Sequence, residues 1–315
     1  MYNARDEQLK IRLWELGLVY ESLLKINNCE EVSNLNFDMK SKVDVEYTNP
    51  LSIFHNNLDI RPGSVTWAGH SFGAATIVQL IKSVFYFSRI QTPIYIPSST
   101  SLRSQITSIT PIILLDLWAL PLNSPSTSSL QIQPLPCFSP SGPGGSSALA
   151  ILSEAFVKWR ANLRDVKKVV SDPFTGEKNI TRPSAHVFYP LKSAHLGQSD
   201  FGLLFPNVTK YLAKAEEPER TLRLNVRAIL EVLRGAGVCV AETSLADMEE
   251  QMDSELEKNE QTRNDYKILD RNEGIVKGWV SLSTQDDIDE SLQSEEAERV
   301  VSVERERSKN SIVSG

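Results

Sequence analysis

Apolar residues recur along this chain at two alternating spacings. Leu9, Leu13, Leu16, Leu23 and Leu24 stand at helical intervals with charges between them, which predicts a helix over 6–27. Residues 28–62 are polar and irregular, hold Pro50 and Pro62, and read as a long connection. Residues 64–68 are β-rich and 74–81 are apolar, so a strand and a buried helix are expected over roughly 64–88. Residues 90–110, rich in Ser, Thr and Pro, read as loop. Ile112, Ile113, Leu114 and Leu115 form a continuous apolar run of the kind that fills a strand buried on both faces. Residues 123–147 are Ser-, Pro- and Gly-rich, a flexible insertion by composition. A third strand is expected over 148–152. A helix should follow from 154 to about 170, with Phe156, Trp159 and Leu163 on one side. A fourth strand is expected over 185–191, and an amphipathic helix over 217–234 closed by Gly235. Strands alternating with helices predict an α/β chain with a parallel sheet covered on both faces.

Composition narrows the function classes. The 315 residues are 41% hydrophobic, enough for a sizeable core, and the net charge of −7 gives no sign of nucleic-acid binding. Cys29, Cys137 and Cys239 are too few and scattered for a disulfide framework or a zinc site. Lys82, Arg89 and Asp116 interrupt the longest apolar runs, so no transmembrane span is expected. The N-terminal residues do not read as a signal peptide, and a cytoplasmic location is expected. The sequons at Asn179 and Asn207 are at chance level. Residues 241–315 carry 20 acidic and 9 basic residues, a balance of −11 that leaves +4 for the remainder. The expected organisation is a catalytic domain over 1–240 and an acidic, mostly disordered extension over 241–315. That extension has room for a helix near 244–260, and residues 274–280 could form a strand that docks back.

The candidate chemistry centres on Gly69-His70-Ser71-Phe72-Gly73, a G-x-S-x-G pentapeptide between a predicted strand and a predicted helix. That is the setting of a nucleophile elbow. Gly69 and Gly73 let the backbone turn tightly, and the new helix points its N-terminus at the serine. A serine hydroxyl needs a base, and the base needs a carboxylate to orient it. In α/β-hydrolases the order is Ser, then Asp or Glu, then His, each just past a strand end. Asp116 follows the strand at 112–115, and His195 follows the strand at 185–191. Of the four histidines, His55 and His70 precede Ser71, and His186 lies inside a strand. Asp165 falls mid-helix, Asp172 precedes a proline in a turn, and Asp200 suits a helix cap. Ser71, Asp116 and His195 are therefore the preferred triad, with no metal or cofactor.

Several blocks agree in order with one family. Gly69 to Thr76, the Leu115-Asp116-Leu117-Trp118-Ala119-Leu120-Pro121-Leu122 stretch, Ser153-Glu154, and Ser193-Ala194-His195 with Ser199-Asp200-Phe201 resemble the platelet-activating factor acetylhydrolases of the plasma and intracellular type II kind, the fungal members above all. The helix from Arg5 to Arg12 and the stretch Leu35 to Met39 resemble what precedes the nucleophile there. The similarity runs from about residue 5 to 235. It implies an α/β-hydrolase fold and a calcium-independent serine esterase that removes short or oxidised sn-2 acyl groups from phospholipids, at a membrane surface where the substrate requires it. On matching positions Ser71 is the nucleophile, Asp116 the orienter, His195 the base, and the Phe72 N–H half of the oxyanion hole.

The resemblance also implies early strands and an oxyanion loop before the nucleophile, whereas only 70 residues precede Ser71. The expectation is an N-terminally truncated hydrolase whose nucleophile strand becomes a sheet edge. Two rival readings stand beside the phospholipid esterase. One is a catalytically weak or inactive hydrolase-like protein, and the other is a general carboxylesterase or peptidase of the same fold.

Overall fold

Among the described residues five short strands make one sheet in the order β1 (Trp67–His70), β2 (Ile112–Leu115), β3 (Ala148–Ile151), β4 (His186–Pro190) and β5 (Trp279–Ser281). The structure is a computed structural model that describes residues 2–30, 32, 50–90, 93–174, 182–241 and 264–284. The first four strands run parallel, and β5 pairs antiparallel with β4. Among the described residues this is a mixed α/β architecture with a mostly parallel sheet, consistent with an α/β-hydrolase fold. Among those residues β1 is one edge of the sheet.

The strands are apolar throughout because both faces are covered. Ile112 and Leu114 share a cluster with Ala148, Ala150 and Val187, under helices α2 (Phe72–Phe85) and α6 (Arg160–Val170). Ile113, Leu149, Ile151 and Phe188 point the other way, against Leu224, Ala228 and Val232 of helix α9 (Pro218–Gly235). The alternation is the period-two rule of a pleated strand. Helix α1 (Tyr2–Asn27) buries Leu9, Leu13, Gly17 and Tyr20 at helical spacing and leaves Ile11, Trp14, Leu18 and Val19 exposed.

Several expectations shift. The first strand begins at Trp67 rather than 64, because its ladder starts opposite Ile112. The 90–110 loop contains helix α3 (Thr100–Gln105), capped by Ser99, whose hydroxyl accepts the Leu102 N–H. Residues 123–147 are not a loose insertion. They form short turns, including α4 (Ser128–Gln131), and bury Leu130, Leu135, Cys137 and Phe138. Here proline and glycine fit tight turns: a Cβ on Gly145 would meet the Ala185 backbone nitrogen at 2.3 Å. The helix after β3 breaks at Trp159 into α5 (Glu154–Lys158) and α6. Gly235 is the last helical residue of α9, and the left-handed residue that ends it is Gly237 at φ 80°.

The segment at 274–280 does dock. Trp279 stacks on Phe188 at 5.3 Å, and its Nε1–H donates to the Ile268 carbonyl at 2.9 Å. The expected helix near 244–260, the stretch at 35–39 and the Asn179 sequon lie outside the described residues. Asn207 falls within helix α8 (Pro206–Ala213), which follows α7 (Phe201–Leu204).

Candidate active site

Ser71 sits between β1 and α2 with φ 57° and ψ −119°. A non-glycine residue there is strained, by about 1–3 kcal/mol in general, and persists only where its surroundings hold it. They do so here. The Ser71 N–H donates to the Leu115 carbonyl (2.9 Å), and the Ser71 carbonyl accepts the N–H groups of Ala74, Ala75 and Trp118. Gly69 is required by close approach: a Cβ would fall 2.5 Å from the Gly73 backbone. A Cβ on Gly73 would meet nothing within 4 Å, so only one of the two motif glycines is sterically demanded. Phe72 opens α2, and its N–H therefore has no intrahelical acceptor.

Asp116 is fully buried past the end of β2, with φ 44°. Its N–H extends the sheet by donating to the Ile151 carbonyl (2.8 Å). One carboxylate oxygen accepts the Ser153 N–H (2.5 Å), and the other lies 2.9 Å from His195 Nδ1. The loop before His195 is fixed to the start of α5, because the Glu154 N–H donates to Ser193 Oγ (2.9 Å) and the Lys192 N–H to the Glu154 carboxylate. The Ser153-Glu154 and Ser193-Ala194-His195 blocks, distant in sequence, thus meet around Asp116.

The His195 ring lies between two others. Phe156 stacks on it at 4.6 Å with planes 11° apart, and His70 approaches at 4.5 Å. Burial and the His195 imidazole hold the His70 pKa below the usual histidine value, against the opposing pull of Asp116 and the His195 backbone. Donor atoms of His70, Asp116 and His195 all lie within 4.8 Å of one another. Three contacts at this site were not anticipated from the sequence: those of the His70 and Phe156 rings with His195, and of the Ser153 N–H with Asp116. No sequence pattern marks a ring that stacks or an amide that donates across 37 residues.

The other sequence candidates lie elsewhere. No hydrogen bond joins the Ser71 hydroxyl to His195 among the described residues. His186 is half-buried in β4, where burial, helped by Arg271, pushes its pKa down to about 4. Asp172 takes the Phe174 N–H in a turn and pairs with Arg182. Asp165 accepts from Asn123, and Asp200 occupies the position before α7.

Two cations lie over rings beside the elbow. Arg5 and Arg12 of α1 lie over the Phe72 ring at 6.0 and 4.7 Å, and Arg5 also lies 5.1 Å over Trp118. Among the described residues neither arginine has a carboxylate partner; Arg5 donates to Gln8.

Comparison with known proteins fits this geometry to a family. The profile described as platelet-activating factor acetylhydrolase, isoform II, matches residues 1–261. The chain belongs to that family. A Schizosaccharomyces pombe protein named "Putative phospholipase A2" is 26% identical over 242 residues, covering 73% of this chain and 50% of the relative. The chain thus spans about half the length of the curated relative it matches. No helix among the described residues is long and apolar enough to cross a membrane.

Proposed function

We propose that this chain carries the catalytic centre of a serine esterase that removes the sn-2 acetyl or short acyl group of platelet-activating-factor-like phospholipids. The observation that carries the reading is the buried Asp116 at 2.9 Å from His195 Nδ1, beside a strained serine at a strand-to-helix turn. Asp116 holds the imidazole in the tautomer whose Nε2 accepts a proton. His195 takes the Ser71 proton as Oγ attacks the ester carbonyl. The Phe72 N–H and the α2 N-terminus stabilise the oxyanion. The lysophospholipid oxygen leaves with the proton from His195, and water then releases the acid from Ser71 by the same base. Hydrogen bonds between nucleophile and base are often long in the free enzyme and tighten with substrate. Arg5 and Arg12 suit the phosphodiester of such a substrate. Exposed Leu203, Leu204, Phe205, Val208 and Tyr211, soon after His195, suit contact with a lipid surface.

The test is labelling of the purified 315-residue chain with a fluorescent organophosphonate, followed by turnover of p-nitrophenyl acetate and of a 2-acetyl phospholipid. Label on wild type and none on Ser71→Ala, with phospholipid turnover, is the expected result. Absence of label on wild type would assign the non-catalytic reading. Turnover confined to the simple ester would assign the general carboxylesterase.

A further inference from the structure

A cavity of about 200 Å³ opens on the α2 face of the sheet, remote from the serine. It lies between α2, α4 and α6. Its lining includes Gln79 and Lys82, eight and eleven residues beyond Ser71, or roughly 12–17 Å along the helix at 1.5 Å per residue.

Two buried polar side chains of α2, Lys82 and Gln79, line this cavity. Lys82 is only 5% exposed, and among the described residues its ammonium meets no carboxylate and no hydrogen-bond acceptor. Gln79 is 2% exposed, and its Nε2 has no partner. Three residues apart, the two project from one face of α2. A buried cation and a buried amide donor without partners are costly, and proteins normally satisfy both. The walls are apolar, with Leu122 and Leu130 buried. At the rim stand Asp165, already accepting from Asn123 at 2.6 Å, and exposed Lys168. Two lysines and one aspartate leave the cavity with one net positive charge.

We propose that this cavity binds a short aliphatic carboxylate, with Lys82 Nζ donating to a carboxylate oxygen and the alkyl chain lying against Leu122 and Leu130. A phosphate would leave further acceptors facing hydrocarbon. The volume falls below the roughly 300–1,000 Å³ of drug-sized sites, as a small acid requires. Burial draws the Lys82 pKa down to about 8, so the ammonium is present at neutral pH and lost as the solution becomes alkaline. Asp165 and Lys168 are the other titratable groups facing the cavity. The acid released by the proposed esterase belongs to the same chemical class, yet the proposal rests on the cavity alone and survives if that activity is absent.

The experiment titrates butyrate into the full chain carrying Ser71→Ala by isothermal calorimetry, with 1-butanol and inorganic phosphate as comparison probes. One saturable butyrate site is expected, weakened at least tenfold by Lys82→Met and by a shift from pH 7 to pH 9.5, with no saturable site for butanol. Thermal melting of the Lys82→Met protein verifies that it is folded, and the pH shift on the unchanged protein provides an independent arm. No saturable butyrate binding, or equal binding by the folded Lys82→Met protein, overturns the proposal. Phosphate binding more tightly than butyrate overturns the choice of ligand.

Discussion

Gly69 and Gly73 flank one serine but meet different constraints. An alanine Cβ at 69 would sit 2.5 Å from the Gly73 carbonyl carbon and oxygen, so the elbow backbone must move. At 73 the same Cβ meets open space in the first turn of a helix. Gly69→Ala is expected to cost about 1–3 kcal/mol, as overpacking does, and to abolish organophosphonate labelling. Gly73→Ala should stay within about 1 kcal/mol of wild type, on the stabilising side, because alanine is the better helix former. Urea unfolding of both variants checks the contrast. The arginines over Phe72 and Trp118 carry a second prediction, which depends on the phospholipid reading. If they hold the phosphodiester, Arg5→Gln with Arg12→Gln should raise KM for a 2-acetyl phospholipid at least tenfold, since even one charge-assisted contact is worth roughly 1.5–3 kcal/mol. Neutral p-nitrophenyl acetate should be hydrolysed as before. Equal losses on both substrates would mean that the arginines support α1 packing rather than recognition.

At the scale of elements, β5 shows how a segment in an acidic stretch becomes part of the core. Trp279 stacks on Phe188, donates to the Ile268 carbonyl and is almost fully buried, so Trp279→Ala should cost about 3–5 kcal/mol. Guanidinium unfolding reads that loss directly. A change under 1 kcal/mol would mean that residues 264–284 are peripheral to the fold. The segment was legible because aromatic and β-branched residues stand between Gly274 and Gly278 and just after them, within otherwise polar surroundings. The strands at 112–115 and 148–151 were legible for a related reason: burial on both faces demands an unbroken apolar run. Residues 123–147 were misread because composition does not distinguish glycine that loosens a chain from glycine that admits a neighbouring backbone. The same limit applies at the candidate site. Asp116 and His195 could be picked out because each follows a strand end. His70 and Phe156 meet the His195 ring only through tertiary approach, and the Trp159 break that separates α5 from α6 has no glycine or proline to announce it.

Across the molecule, each face of the sheet holds a base that meets no carboxylate among the described residues, Lys82 buried and His186 half-buried, and stability should follow pH accordingly. Lys82 lies on the α2 face. His186 shares the face of Phe188, with its Nδ1 buried and unpartnered. The folded His186 pKa is about 4, against 6.5 for an ordinary histidine. Between those values the unfolded chain binds a proton that the folded chain refuses, so stability is full above pH 6.5 and falls as the solution is acidified to pH 4. His70, also held low, acts in the same direction. The folded Lys82 pKa is about 8, against 10.5 for an ordinary lysine. In that window the unfolded chain again holds the extra proton, and stability rises as pH climbs from 8 to 10.5. At 1.36 kcal/mol per pKa unit, and with allowance for partial solvent access, each group contributes on the order of 2 kcal/mol. Urea unfolding at pH 4.5, 7 and 9.5 should therefore show wild type least stable at pH 4.5. His186→Gln should recover part of the acid loss. Lys82→Met should raise stability at pH 7 by about 2 kcal/mol and flatten the alkaline rise, because it removes the charge that burial disfavours. A Lys82→Met protein less stable than wild type at pH 7 would show that the ammonium has an acceptor in solution, which is the role assigned above to a bound carboxylate. Dialysis against carboxylate-free buffer before the melt separates the two cases: the stabilising effect of Lys82→Met should be largest in the emptied protein and should shrink, or change sign, as butyrate is added.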